Sequence, residues 1–279
     1  MPYLSHKFII EKFIKQALRE DIGHGDITVD SLVKPEKKIK AAINSRSNGI
    51  IAGINILKTV FEILDPEIEC EILVDDSKTI KQNQDIAFIK GNARAILTGE
   101  RTALNFLQRM SAIATMTDKF QKAIFPYKSK ITDTRKTTPN FRIFEKYSVK
   151  AGGGSPHRFG LYDCVMIKDN HIKLAGSITD AIKLIRENIS HTTKIEVEAE
   201  NIDQVIEALK ADVDIIMLDN MSLDLINKSV DLIQNKVIIE ASGNISLENV
   251  KQIASTGVDF ISTSVITANA GIFDIGLDL

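Results

Sequence analysis

Arg135, Lys136, Arg142, Lys146, Lys150, Arg158 and Lys168, with His157 and His171, crowd into the stretch from Asp133 to His171, which holds only four carboxylates. The whole chain stands at −2. A surplus this local predicts a small guest carrying more than one negative group, because clustered cations are costly without an anion to share. The near-neutral total gives no support to a nucleic-acid or membrane-surface partner, which would show as an excess of one sign along the chain.

More chemistry gathers at the ends of short apolar runs. Lys168 to His171 close one run, Glu198 and Glu200 another, Asp219 and Asn220 a third, Ser242, Gly243 and Asn244 a fourth, and Ser262, Thr263 and Ser264 a fifth. In parallel α/β architectures the active site is built where strands end, so these groups share one mouth. Alternation puts Lys194, Glu196, Glu198 and Glu200 on one strand face and Ile195, Val197 and Ala199 on the other. The apolar face must meet helices, which turns the acids inward, where a carboxylate is costly unless paired. With Asp219, these acids suit Mg²⁺; an internal salt-bridge network with Lys194 and Lys168 is the alternative. The loops at Ser242 and Ser262 each open a helix or turn and suit phosphate. Gly152, Gly153 and Gly154 read equally as a close approach to a ligand and as a flexible loop.

The elements that must carry these residues fall into two textures. From Phe8 to Leu18 and from Gly49 to Leu64 apolar residues keep helical spacing, whereas Ile68 to Val74 alternates as a strand and Asp85 to Ile89 gives another. Beyond Tyr127 strands are expected at Lys130–Thr134, Cys164–Lys168, Lys194–Glu198, Asp214–Leu218, Val237–Ala241 and Phe260–Ser264. Helices are expected at Asp180–Asn188, Ile202–Lys210, Leu223–Gln234 and Leu247–Thr256. This repeating βα unit means parallel strands with right-handed crossovers. No GxGxxG opens any unit, which favours a barrel over a dinucleotide-type sheet. The fold class is therefore α/β: an N-terminal α/β sandwich over residues 1–112, a barrel over 113–265, and a tail, 266–279, that can return to the first domain as a strand. Helical periodicity from Ala93 to Phe125 is long, and a break near Ser111 is expected. On that stretch Arg101 flanks the apolar face and reads, by itself, as a surface arginine.

Other features read blandly. The loop EDIGHGDIT, with Glu20, Asp21, His24 and Asp26, looks like a solvated helix end rather than a metal site. Cys70 and Cys164 sit in apolar runs and read as buried thiols, consistent with a reducing cytoplasm. The segment MPYLSHKFII lacks the pattern of a cleaved leader, and no run approaches the length of a membrane span.

EDIGHGDIT, TGERTALNFLQRMSAIAT, DTRKTTP, EKYSVKAGGGSPHR, MIKDNH, EVE, MLDNM, EASGNI and GVDFIS, in this order, resemble the blocks of the quinolinate phosphoribosyltransferase family over nearly the whole chain. The resemblance implies an N-terminal sandwich joined to an incomplete, open α/β barrel, a homodimer or larger oligomer with shared active sites, and Mg²⁺ bound with phosphoribosyl pyrophosphate. It implies transfer of the phosphoribosyl group to quinolinate with loss of CO₂, giving nicotinate mononucleotide and pyrophosphate. Matched by motif, Arg135, Lys136, His157, Arg158 and Lys168 resemble the groups that hold quinolinate, and Arg101 the arginine lent by a neighbouring subunit, which replaces the surface reading. Glu198 and Asp219 resemble the ligands of the ribose hydroxyls and the metal and, with Lys136, the catalytic groups. Lys168, Ser242, Gly243, Asn244, Ser262, Thr263 and Ser264 complete the phosphoribosyl pyrophosphate side. Ala112 and Ser264 stand where the family commonly has glycine.

Two rivals make different predictions. A Schiff-base aldolase would use Lys168, and borohydride would trap its substrate there. A non-catalytic binder of pyridine dicarboxylates would take up quinolinate and release no pyrophosphate.

Overall fold

The computed structural model describes residues 7–279; residues 1–6 of the segment MPYLSHKFII lie outside the described residues. By their contacts the described residues divide into two units, one of those up to 118 with 139–153 and 270–279, the other of 119–138 and 154–269.

In chain order the elements are α1 (Lys7–Ile22), α2 (Ile27–Leu32), β1 (Lys38–Ser45), β2 (Gly49–Ile50), α3 (Ile54–Leu64), β3 (Glu69–Ile72), β4 (Thr79–Ile80), β5 (Asp85–Asn92) and α4 (Ala93–Ala123). There follow β6 (Lys130–Thr132), α5 (Arg142–Ala151), β7 (Val165–Ile167), α6 (Asp169–Ala175), α7 (Ile178–Arg186), β8 (Ile195–Ala199) and α8 (Ile202–Lys210). Last come β9 (Ile215–Asp219), α9 (Leu223–Ile233), β10 (Ile238–Ser242), α10 (Val250–Ser255), β11 (Phe260–Ser262), α11 (Val265–Ala268) and β12 (Ile275–Asp278).

The first unit is built on an antiparallel sheet in the order β12-β1-β5-β3, so the chain end returns as an edge strand beside β1, with Ile43 opposite Leu277. Helix α4 runs through Ser111 without a break. Residues 100–124 contain neither glycine nor proline, and the Ser111 hydroxyl has a tertiary partner: Oγ accepts from the Ala52 amide at 3.1 Å and lies 3.3 Å from the Ala52 carbonyl. A buried serine that serves a neighbouring backbone need not end a helix.

By its contacts helix α5 groups with this unit. Its Phe144 is fully buried against Phe106, Phe141 and Phe13, with ring centroids 5.0, 4.8 and 5.8 Å away. Aromatic clustering of this kind supplies a large share of a small core and draws the helix in. Gly152 closes α5 where a Cβ would sit 2.2 Å from the Ala114 carbonyl oxygen, and Gly153 follows at φ +88°. At least these two glycines are therefore explained by packing and helix termination.

The second unit is a six-stranded parallel sheet, β6-β11-β10-β9-β8-β7, alternating with helices, and it is not closed. Its register runs evenly: Ser242 lies opposite Asp219, Glu198 opposite Met217, and Ser262 opposite Thr132. Each expected strand is present within one to two residues at either end. Helices α7 to α9 start on Ser177, Asn201 and Ser222, whose side chains each accept a hydrogen bond from an amide in the first turn. No described helix is long and apolar enough to cross a membrane. Cys70 and Cys164 are both free and half-buried, and burial pushes both thiols up to about 11.

Candidate active site

At the carboxyl ends of the parallel strands lies a cavity of about 550 Å³. Every expected site residue except Arg101 lines it: Arg135, Lys136, His157, Arg158, Lys168, Glu198, Asp219, Ser242, Gly243, Asn244, Ser262, Thr263 and Ser264. Arg101 lies in the other unit, exposed on α4.

Below this ring is a second one, set by the same alternation along the strands. Met166, Glu196, Met217 and Glu240 each stand two residues before Lys168, Glu198, Asp219 and Ser242 on their strands, hence on the same face. Met166, Met217 and Glu240 line the cavity with Thr134. Glu196, already expected to point inward, is 1% exposed. His157 Nε2 lies 3.3 Å from Glu196 Oε2 and 3.5 Å from Glu240 Oε1.

Burial is the largest single influence on the His157 ring and lowers its pKa, but its bonds to Glu196 and Glu240 together outweigh it and raise it to about 10. The ring's other nitrogen, Nδ1, accepts the Arg158 amide at 2.7 Å, a bond that full protonation would give up. Two carboxylates outweigh one amide, so the shift is upward. Burial likewise pushes Glu196 up, with its bond to His157 opposing. His157, Glu196 and Glu240 bring one ligand atom each within 4.8 Å of one another. They do not make a metal site as they stand: with Nδ1 accepting, Nε2 carries the proton, and an imidazolium offers no lone pair either. His157 is anchored below as well, its amide donating to Asp133 Oδ1 at 2.7 Å.

The cations of the upper ring are held by their own neighbours. Arg158 Nη1 donates to the Cys164 carbonyl at 2.9 Å and Nη2 approaches Met166 Sδ at 3.6 Å, which fixes the plane of the guanidinium. Lys168 Nζ pairs with Glu198 Oε1. The Lys168 amide donates to His171 Nδ1 at 3.0 Å, so the lysine leaves β7 at a fixed angle into α6. The loop bearing Arg135 and Lys136 is tied down at both ends: the Lys136 amide donates to Thr134 Oγ1 at 3.0 Å, and Thr267 Oγ1 donates to the Lys136 carbonyl at 2.9 Å.

On the other side Asp219 Oδ2 accepts from Asn220 at 2.8 Å, and Ser262 Oγ is buried without a hydrogen-bond partner among the described residues. Glu198 Oε2 and Asp219 Oδ1 make no hydrogen bond among the described residues. These two carboxylates, with an oxygen each to spare, offer the kind of donor that Mg²⁺ takes.

The family model described as quinolinate phosphoribosyl transferase, C-terminal domain, matches residues 113–278, and that of the N-terminal domain matches residues 26–111. The chain belongs to the quinolinate phosphoribosyltransferase family. It is 43% identical over 274 residues to a probable carboxylating nicotinate-nucleotide pyrophosphorylase of Synechocystis, covering 97% of this chain and 92% of that one. The corresponding Bacillus subtilis protein is 42% identical over 270 residues, covering 97% and 93%. Among solved structures, NadC from Streptococcus pyogenes superposes with a TM-score of 0.95 at 38% identity, covering 98% of this chain and 96% of that one. The nicotinate-nucleotide pyrophosphorylase from Ehrlichia chaffeensis gives 0.92 at 43% identity, covering 96% and 97%.

Ala112 is buried on α4, while Ser264 lines the cavity at the start of α11.

Proposed function

We propose that this cavity binds quinolinate and phosphoribosyl pyrophosphate side by side, as the phosphoribosyltransferase of NAD biosynthesis that the chain's family membership makes it. The observation that carries the reading is the convergence of a cationic half and a carboxylate-and-hydroxyl half on one cavity within one unit.

Quinolinate carries two adjacent carboxylates. Arg135, Arg158, Lys136 and Lys168 supply the charge to hold them, and the arginines offer planar forks that a carboxylate meets with two bonds. His157, raised toward its cationic form by Glu196 and Glu240, offsets part of the negative charge those acids place at the floor. On the far side Glu198 and Asp219 take the ribose hydroxyls, while the loops Ser242–Asn244 and Ser262–Ser264 take phosphate through amides and hydroxyls. Mg²⁺, held by Glu198 and Asp219 with the pyrophosphate, would supply positive charge to the leaving group.

The pyridine nitrogen then displaces pyrophosphate at the anomeric carbon. Positive charge grows on the ribose beside Glu198 and Asp219, and negative charge on the departing group beside Lys136 and Lys168, so preorganised charge lowers the barrier. No protein nucleophile is needed. The glycosylated ring nitrogen is cationic and accepts the electron pair when the 2-carboxylate leaves as CO₂, after which C2 takes up a proton.

The protein works as a homodimer or larger assembly in which Arg101 reaches a partner's site; its exposure on α4 supports this. Two free half-buried thiols are at home in a reducing cytoplasm. Incubation with quinolinate, phosphoribosyl pyrophosphate and Mg²⁺ tests the reading: nicotinate mononucleotide forms, and nicotinic acid does not replace quinolinate. Product from nicotinic acid at an equal rate, or none from either, would overturn it.

A further inference from the structure

Asn220 follows β9 in a left-handed conformation, φ +53°, beside Asp219. A turn alone would need only glycine there, yet both ends of this amide are engaged. Its Nδ2 donates to Asp219 Oδ2 at 2.8 Å, and its Oδ1 accepts from Asn244 Nδ2 at 3.1 Å. The backbones are joined too, the Asn220 amide donating to the Ser242 carbonyl at 2.9 Å. Gly243 lies directly against this bridge: a Cβ there would stand 2.2 Å from Asn220 Oδ1 and 2.6 Å from its Cγ. Asn244, itself at φ +50°, is braced from behind, its carbonyl accepting from Asn249 Nδ2 at 2.8 Å. Four residues of two loops are thus interlocked around one side-chain amide.

We infer that Asn220 is a positioning residue that fixes Asp219 and the loop Ser242–Asn244 as one rigid receptor for the ribose and phosphate of phosphoribosyl pyrophosphate. By occupying Oδ2 it leaves Oδ1 of Asp219 to the ligand, and it stops the carboxylate from rotating between the two. Through Asn244 it sets the distance from that carboxylate to the phosphate loop, which is the distance between two parts of one substrate. This rests on the reading above that Asp219 meets phosphoribosyl pyrophosphate.

The test is steady-state kinetics on the full chain carrying Asn220→Gly, Asn220→Asp or Asp219→Asn. Asn220→Gly keeps the left-handed backbone without strain and removes the bridge. It raises KM for phosphoribosyl pyrophosphate roughly ten- to hundredfold, the scale of a hydrogen bond to a charged group, and leaves KM for quinolinate and the unfolding temperature near those of the parent. Asn220→Asp keeps shape and backbone but sets an oxygen where Asp219 needs a donor, so it raises the same KM and does not rescue. If Asn220→Gly fails to fold, Asn220→Asp decides alone. A parent-like KM for phosphoribosyl pyrophosphate in the folded variants, or an equal rise in both KM values, overturns the inference. Asp219→Asn separates the two levels. If it too is parent-like, the reading of Asp219 fails; if it is impaired while the Asn220 variants are not, only the positioning role fails.

Discussion

His157 Nε2 faces Glu196 Oε2 at 3.3 Å, and the carboxylate it faces is almost wholly withdrawn from water. With Glu240 Oε1 at 3.5 Å, the imidazole sits over a pair of acids at the base of the cavity that Arg135, Lys136, Arg158 and Lys168 line on one side. The folded-state pKa of His157, about 10, lies above its ordinary 6.5, so the folded protein binds the proton more tightly than the unfolded chain. The stability this contributes is complete below pH 6.5 and is lost as pH rises through about 10. Urea unfolding is therefore expected to show lower stability at pH 9.5 than at pH 7, with the His157 ring still protonated at pH 8 by NMR. A ring titrating near 6.5 with flat stability would contradict this.

Glu198 is paired with Lys168 across adjacent strands, so removing its charge affects both. Glu198→Gln is expected to lower kcat/KM for phosphoribosyl pyrophosphate by about 10²- to 10³-fold, the scale of one preorganised electrostatic group. The fold should survive, since Glu198 lines a cavity instead of filling a core. Parent-like kinetics in Glu198→Gln would remove it from the chemistry.

The Arg158 guanidinium is oriented by the Cys164 carbonyl and the Met166 thioether, and an ammonium cannot reproduce that plane. Arg158→Lys keeps the charge but is expected to raise KM for quinolinate about 10- to 100-fold, the worth of a charged hydrogen bond. KM for phosphoribosyl pyrophosphate should move little. Initial-rate kinetics with each substrate varied in turn separates the two effects.

How much of this the sequence disclosed depended on whether a feature is local. The inward face of β8 was legible because alternation has a period of two and Ile195, Val197 and Ala199 had to meet helices. The same alternation on β7, β9 and β10 turns Met166, Met217 and Glu240 to the cavity, a signal that lies inside the strands instead of at their ends. The placement of α5 was not legible, since it turns on Phe144 meeting Phe13 and Phe106, residues distant in sequence. Nor was the continuity of α4 through Ser111, where the decisive partner is the backbone of Ala52. Arg101 shows the opposite limit: its own surroundings on α4 read as plain surface, and only the ordered family blocks gave it a role.

That role has its own test. If Arg101 serves a partner's cavity, Arg101→Ala and Lys136→Ala subunits, each inactive alone, should regain activity when mixed. For dimers exchanging at random, about a quarter of the parent activity is expected, since half of the dimers then hold one intact site of two. No recovery despite demonstrated subunit exchange would place Arg101 outside a shared site.

The central claim is that one cavity joins the two substrates and then expels a carboxylate. It is tested most directly with quinolinate labelled in its 2-carboxylate. The account predicts labelled CO₂ released one for one with pyrophosphate, only when phosphoribosyl pyrophosphate and Mg²⁺ are both present. Pyrophosphate without labelled CO₂, or labelled CO₂ without phosphoribosyl pyrophosphate, would contradict it.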